Sequence, residues 1–279
     1  MNVLNTVSET ALITLRARAI ETKKRSPIIQ DPESLSLIRA FRTVDLTEGQ
    51  RKILNRDLPG SLTTYIALRA RKYDQWAAEF LQKNPTGLVV SLGAGFDTRY
   101  WRITPDKDQY IEVDLPEVIG AKKQLLGDRL TYETRGCSVL DRVWMEELAL
   151  RKKEGVLFLA EGLFMYLPEK EVVQLFNAVA STFSDSQIIF EVVHKKYTGG
   201  VRKKMVESKM KRRSGTEAGA SFQFGLADGK EVESYAGNIR VTDEWSYFEE
   251  PGVHPKILRL FRHFKAFTRT QWTIRATIK

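Results

Sequence analysis

The sequence predicts a doubly wound α/β fold, with a helical cap in front of it and a lid inserted late. From residue 87 onward, short apolar runs alternate with stretches of helical spacing, which implies parallel strands joined by crossover helices. The first run ends in a Gly-x-Gly turn and the second ends in an acid. In an open parallel sheet those are the positions beyond which a ligand sits. Before residue 87 the chain reads as helices alone.

The cap begins with a helix over 7–24, where Val7, Ala11, Leu12, Leu15 and Ala19 recur at helical spacing before a basic run and Pro27. Shorter helices are expected from Pro32 to Phe41 and from Glu48 to Leu54. Ser61 reads as the N-cap of a long helix reaching about Gln82. Six strands are expected at 88–92, 109–113, 130–134, 156–160, 187–193 and 271–278, with helices near 116–126, 141–153 and 168–183. Residues 195–250 show no strong strand and read as a helical lid between Gly199-Gly200 and Pro251-Gly252. One domain over 1–279 follows: a cap over 1–86, a sheet core over 87–194 and 251–279, and the lid over 195–250.

Composition fits a chain able to bury one large core, with 42% hydrophobic residues over 279 positions. No apolar run approaches the roughly 20 residues of a membrane span, so no membrane partner is expected. Cys137 is the single cysteine, which excludes an internal disulfide and suits a reducing compartment; a cytoplasmic location is the expectation. The net charge of +9 is concentrated: residues 195–213 hold nine Lys or Arg and one acid, Glu207. Phosphates are gripped by such clusters, but only Tyr197 is there to stack on bases, so a solvated lid is preferred over a nucleic-acid surface.

The Gly93-Ala94-Gly95 turn lets backbone approach a nucleotide closely and aims free N–H groups at it. A dinucleotide fingerprint wants a third glycine near Thr98, which is absent, so NAD is disfavoured and S-adenosylmethionine, which has no phosphates, fits better. Asp114, with Leu115 beside it, stands 19 residues after Gly95, where an acid accepts from a ribose diol; capping the helix from Pro116 is its ordinary alternative. Glu161 and Gly162 follow the fourth strand directly. A buried carboxylate there requires a partner, either a cationic ligand or the turn itself. Arg69 falls inside the apolar stripe of Leu62, Ile66, Tyr73, Trp76 and Phe80. Its acceptor is read as the methionine carboxylate of the cofactor or an Asp or Glu of the chain.

The segments LGAGFDTRYWRI, YIEVDLPEVI and FLAEGLFMYLPEKEV, with SETALITLRARAIETKK and DPES upstream, resemble the leucine carboxyl methyltransferase superfamily. The likeness is closer to its bacterial branch, which includes the tetracenomycin-type polyketide O-methyltransferases. It covers most of residues 5–193. The resemblance implies a class I methyltransferase fold, Rossmann-like, with a seven-stranded sheet whose last strand is antiparallel. It implies S-adenosylmethionine as cofactor and transfer to an oxygen, often a carboxylate. The family's carboxylate-binding arginine matches Arg69, its glycine turn Gly93 and Gly95, its ribose acid Asp114, and its acid after the fourth strand Glu161. Where the family has an Asp-Leu pair beside the adenine, this chain has Ser138 and Val139, with Asp141 as the other candidate for the acid's role.

Methyl transfer from a sulfonium needs alignment and exclusion of water rather than a covalent intermediate or a metal. A carboxylate acceptor is ionised at its pKa of about 4 and needs no base; a phenol near 10 gains from one. His194, after the fifth strand, is the candidate base, and Tyr166 is the candidate lining residue of the reaction pocket; each has a structural alternative. Arg99, Arg102 and Arg240 could bind an acidic acceptor, but surface roles are preferred for each. The acceptor is expected to be a small, acidic molecule. Two rival readings are an NAD(P)-dependent oxidoreductase, and an RNA-directed or non-catalytic protein using the basic segment.

Overall fold

The computed structural model describes residues 9–151, 154–205, 208, 221–253 and 256–279. Residues 206–207 and 209–220, which include the end of the expected basic segment, lie outside the described residues, as does the start of the first helix.

Four helices form the cap: α1 (Glu9–Thr22), α2 (Pro32–Phe41), α3 (Glu48–Asn55) and α4 (Gly60–Lys83). Asp31 caps α2, accepting from Ser34 N–H at 3.0 Å, and Thr47 with Gln50 closes a capping box on α3. α4 starts one residue before the expected Ser61, after Pro59 and with no side-chain cap. Pro59 already presets the backbone, and its carbonyl accepts the N–H groups of Leu62 and Thr63.

The sheet has seven strands in the order β3-β2-β1-β4-β5-β7-β6. They are β1 (Leu88–Leu92), β2 (Tyr110–Asp114), β3 (Glu133–Gly136), β4 (Val156–Ala160), β5 (Ser186–Val193), β6 (Ile239–Trp245) and β7 (Gln271–Ile278). β1 to β5 pair in parallel, and β7 runs antiparallel to both β5 and β6. Between the parallel strands lie α5 (Arg99–Ile103), α6 (Pro116–Leu126), α7 (Arg142–Ala149) and α8 (Glu169–Thr182).

Alternation along each strand splits the core between two faces. Ile111, Val113, Phe158 and Phe190 face α7 and α8, whereas Tyr110, Leu157, Leu159 and Ile189 face α4. Two expectations are corrected. β3 begins at Glu133 rather than 130, because a short 3-10 turn at Gly127–Arg129, entered with Gly127 at φ 54°, occupies the approach. β6 lies inside the segment expected to be a helical lid. It is an edge strand with a bulge between Val241 and Asp243, buried fully only at Ile239 and Trp245, so its polar middle hides the strand pattern.

Candidate functional site

At the carboxyl end of β1 the chain turns through Gly93 and Gly95, at φ 61° and 52°. That left-handed region favours glycine, and space enforces the choice too. A Cβ on Gly93 would meet the Leu163 side chain at 2.7 Å, and one on Gly95 would meet Ala11 of α1 at 3.3 Å. Ala94 accepts the Asp97 N–H at 2.9 Å and closes the turn.

Asp114 ends β2 and ties that turn to the next strand. Its Oδ2 accepts from Gly95 N–H at 2.6 Å and its Oδ1 from Leu115 N–H at 2.7 Å. α6 has Leu115 at its N-cap and no side-chain cap, so Asp114 is not the cap of that helix. Burial raises the carboxyl above its usual range, against the pull of the two backbone donors. After β3, Val139 is buried, and Ser138 Oγ accepts from Leu140 N–H at 3.2 Å. Asp141, the other candidate for the acid's role, caps α7 through Val143 N–H at 3.0 Å.

Glu161 and Gly162 leave β4 into a buried lattice of charge. Glu161 Oε1 accepts from Arg69 Nε at 2.7 Å, and its Oε2 from Arg99 Nη2 at 2.5 Å. Arg69 Nη1 also donates to Glu191 Oε2 at 2.7 Å, so without a ligand its acceptors are acids of the chain itself. Glu191 further accepts from the Tyr65 hydroxyl and, at 3.0 Å, from Gln271. Gly162, at φ 69°, lies against this group: a Cβ there would stand 3.5 Å from Glu191 Oε2 and 3.7 Å from Arg69 Nη1.

Arg99 and Arg102, expected at the surface, are interior residues; Arg240 is exposed as expected. The Arg99 side chain is 0% exposed and pairs with Asp74, Asp97 and Glu161. Arg102 pairs with Asp74, Asp31 and Asp97. Asp31 also takes Arg18 Nε at 2.9 Å and the Thr98 hydroxyl at 2.5 Å, while Arg18 Nη2 donates to Phe96 O at 2.6 Å. Burial by itself would raise Asp31, Asp97 and Glu161, but the guanidinium groups around them hold all three below the ordinary carboxylate range. Four arginines (18, 69, 99, 102) meet five carboxylates (31, 74, 97, 161, 191), so this lattice carries one surplus negative charge.

His194 does not sit as a base. Its Nδ1 accepts the Lys196 N–H at 3.2 Å, so the neutral ring carries its proton on Nε2 and is a donor there. Burial, then Lys196 and Arg269, lower its pKa and favour that neutral form. Tyr166 lies 5.8 Å from the Phe222 ring, and burial with the Glu191 charge pushes its hydroxyl up to about 12. It too is a donor at neutral pH.

The sequence reading missed Glu191, Asp97, Asp74, Asp31, Arg18 and Tyr65 as parts of the site. One signal was present: Glu191 is an acid in the middle of the apolar run QIIFEVV. A buried strand tolerates that only with a cation behind it.

The strand order, the glycine turn after β1 and the acid after β2 define a class I methyltransferase fold. A putative methyltransferase of Thermobifida fusca shares it at TM-score 0.55 and 16% identity, over 88% of this chain and 94% of that one. A DUF574-family protein of Streptomyces avermitilis shares it at TM-score 0.59 and 10% identity, over 99% and 100%. The chain belongs to the leucine carboxyl methyltransferase family, which matches residues 11–180. Among its relatives is the tetracenomycin polyketide synthesis O-methyltransferase TcmP of Streptomyces glaucescens. It is 29% identical over 255 residues, 89% of this chain and 86% of that protein. The S-adenosyl-L-methionine-dependent methyltransferase dpfgK of Gibberella zeae is 29% identical over 196 residues, 68% of this chain and 65% of the relative.

Proposed function

We propose that this methyltransferase uses S-adenosylmethionine to methylate an oxygen of a small acidic molecule, and that the oxygen belongs to a carboxylate. The observation that carries the choice of carboxylate is the hydrogen bond by which His194 Nδ1 already accepts from Lys196, together with the burial of the Tyr166 hydroxyl. Tyr166, at about 12, and His194, with Nδ1 already accepting, offer O–H and N–H donors and no base. A carboxylate acceptor is anionic near pH 7, welcomes donors and needs no deprotonation; a phenol would need the base these residues are not. A polyketide-like acid is the acceptor class that the TcmP relative suggests.

The residues fit the cofactor. Each Asp114 oxygen keeps a lone pair for a ribose hydroxyl after serving Gly95 and Leu115. The surplus negative charge of the lattice beside Glu161 favours a bound cation, and Gly162 leaves room against it. When bound, S-adenosylmethionine supplies a methyl on a cationic sulfur, open to in-line attack by an oxygen. The chain aligns that attack through Asp114 and Glu161, and covers the Gly93 turn with Leu163 and α1.

The test is transfer from a donor tritiated on its methyl group into a metabolite extract, followed by mild alkali. A methyl ester releases the label as volatile methanol. Label that stays with the product identifies an ether and moves the acceptor to a hydroxyl. Label incorporated into RNA instead would overturn the small-molecule reading.

A further inference from the structure

Charge is unevenly placed on this chain. Residues 195–205 and 256–269 together hold ten basic residues and no acid, so the rest, with 34 basic and 35 acidic residues, stands at −1. Topology brings both segments to one end of the sheet. The first leaves β5 and the second enters β7, which pair with Val193 opposite Gln271. His194 N–H donates to Thr270 O at 3.2 Å, and the charges of Arg202 and Arg269 both act on the His194 ring. It is the same end at which Asp114 and Glu161 stand, since both follow the carboxyl termini of parallel strands.

The two segments also carry most of the large apolar side chains that point to solvent. Val201, Met205, Ile257, Leu260, Phe264 and Phe267 are 46–74% exposed; among the described residues only Leu115, Val143 and Leu150 are comparable elsewhere. Leu258 and Phe261 face inward, the first against the α4 side of the core and the second 6.4 Å from the Phe248 ring, and so anchor the second segment. Apolar groups scattered singly are ordinary on a surface, but six of them on two acid-free basic segments are not. An anionic bilayer is complementary to that mixture: its headgroups take the cations and its acyl boundary takes the apolar side chains. Nucleic acid would meet the cations but gain little from Val201, Met205, Ile257 and Leu260, which cannot stack on bases.

We infer that this face of the protein docks on an anionic lipid bilayer, with Leu260 and Phe264 entering the interface and Arg202, Lys204, Arg262 and Lys265 meeting the headgroups. Docking turns the Asp114–Glu161 edge toward the membrane. The expectation of no membrane partner rested on the lack of a spanning segment, and peripheral docking needs none.

Co-sedimentation with phosphatidylcholine vesicles, alone or with about one phosphatidylglycerol in three lipids, tests this. The wild-type chain is expected to bind the anionic vesicles at least about tenfold more tightly, and to release as salt rises from about 0.15 to about 1 M and the Debye length falls to about 3 Å. The quadruple change Arg202→Gln, Lys204→Gln, Arg262→Gln, Lys265→Gln should abolish the preference. Separately, Leu260→Ser with Phe264→Ser should weaken binding about tenfold. Melting temperature and affinity for S-adenosylhomocysteine should stay unchanged in both, and either set tests the proposal should the other fail to fold. Equal affinity for the two vesicles, undiminished binding by the Leu260/Phe264 variant, or preference for a structured RNA over anionic vesicles would each overturn it.

Discussion

Asp114 joins two strand ends through the Gly95 and Leu115 N–H groups, and in the proposed site its remaining lone pairs receive a ribose. Asp114→Ala should therefore raise the dissociation constant for S-adenosylhomocysteine at least about tenfold, since charge-assisted hydrogen bonds are worth about 1.5–3 kcal/mol each. Calorimetry giving an unchanged constant for a folded variant would remove Asp114 from the site. Arg69 has a different signature. Because it already clamps Glu161 and Glu191, Arg69→Lys loses a planar fork that a point charge cannot replace. The expected result is a destabilisation of the free protein on the order of 3 kcal/mol, read as a lower melting temperature, with any loss of cofactor affinity following from it. A variant that melts like wild type while binding S-adenosylhomocysteine weakly would reverse that assignment. Arg69 was legible in the sequence because a guanidinium interrupted an apolar helical stripe. Its partner was not, because nothing in a linear sequence says which acid, 92 or 122 residues away, will face it.

At the scale of elements, Asp31 fastens the cap to the sheet. It caps α2, pairs with Arg18 of α1 and Arg102 of α5, and accepts from Thr98. Asp31→Asn keeps the cap and removes the charge, leaving a fully buried site with two cations short of an acceptor. Urea unfolding should show a loss of about 3 kcal/mol. Asp57→Asn, whose carboxylate is fully exposed 3.8 Å from Arg16, should leave the midpoint where it is and serves as the control. An Asp31→Asn midpoint equal to that of wild type would mean the lattice does not hold the cap. Elements with a strong period were legible: β1, β4 and β7 match their expected bounds, and α6 does too. β6 was not, because an edge strand needs few apolar residues. The cap helices were legible as helices, but their docking through charge was not, since Arg99 and Arg102 read as surface residues and nothing singled out Arg18.

The whole molecule should respond to acid in a defined sense. Asp31, Asp97 and Glu161 have folded pKa values below their unfolded values near 4. The stability they contribute is complete above the unfolded pKa and is lost as pH falls through the folded ones. Glu112 and Asp114, shifted upward, act in the opposite direction and offset part of that loss. The urea midpoint should hold steady from about pH 8 to about pH 5, then fall below about pH 4. A midpoint that rises below about pH 4 would show that the raised carboxyls, Glu33 and Glu249 included, outweigh the lowered ones, Glu133 and Asp228 included. The fold class could be read, and a cofactor edge proposed, because both depend on residues close in sequence to a strand end. The juxtaposition of the segments after residue 193 could not be read, because β5 and β7 bring them together only in the folded chain.

β7 stands between β5 and β6 although it is made after both. During synthesis, therefore, the open edge of β5 and the whole of β6 wait for residues 271–278 to be translated before either is paired. Unpaired edges of this kind invite pairing with another chain. A chain cut short before Gln271 would lack the strand that joins β5 to β6, and would be prone to aggregate rather than merely inactive.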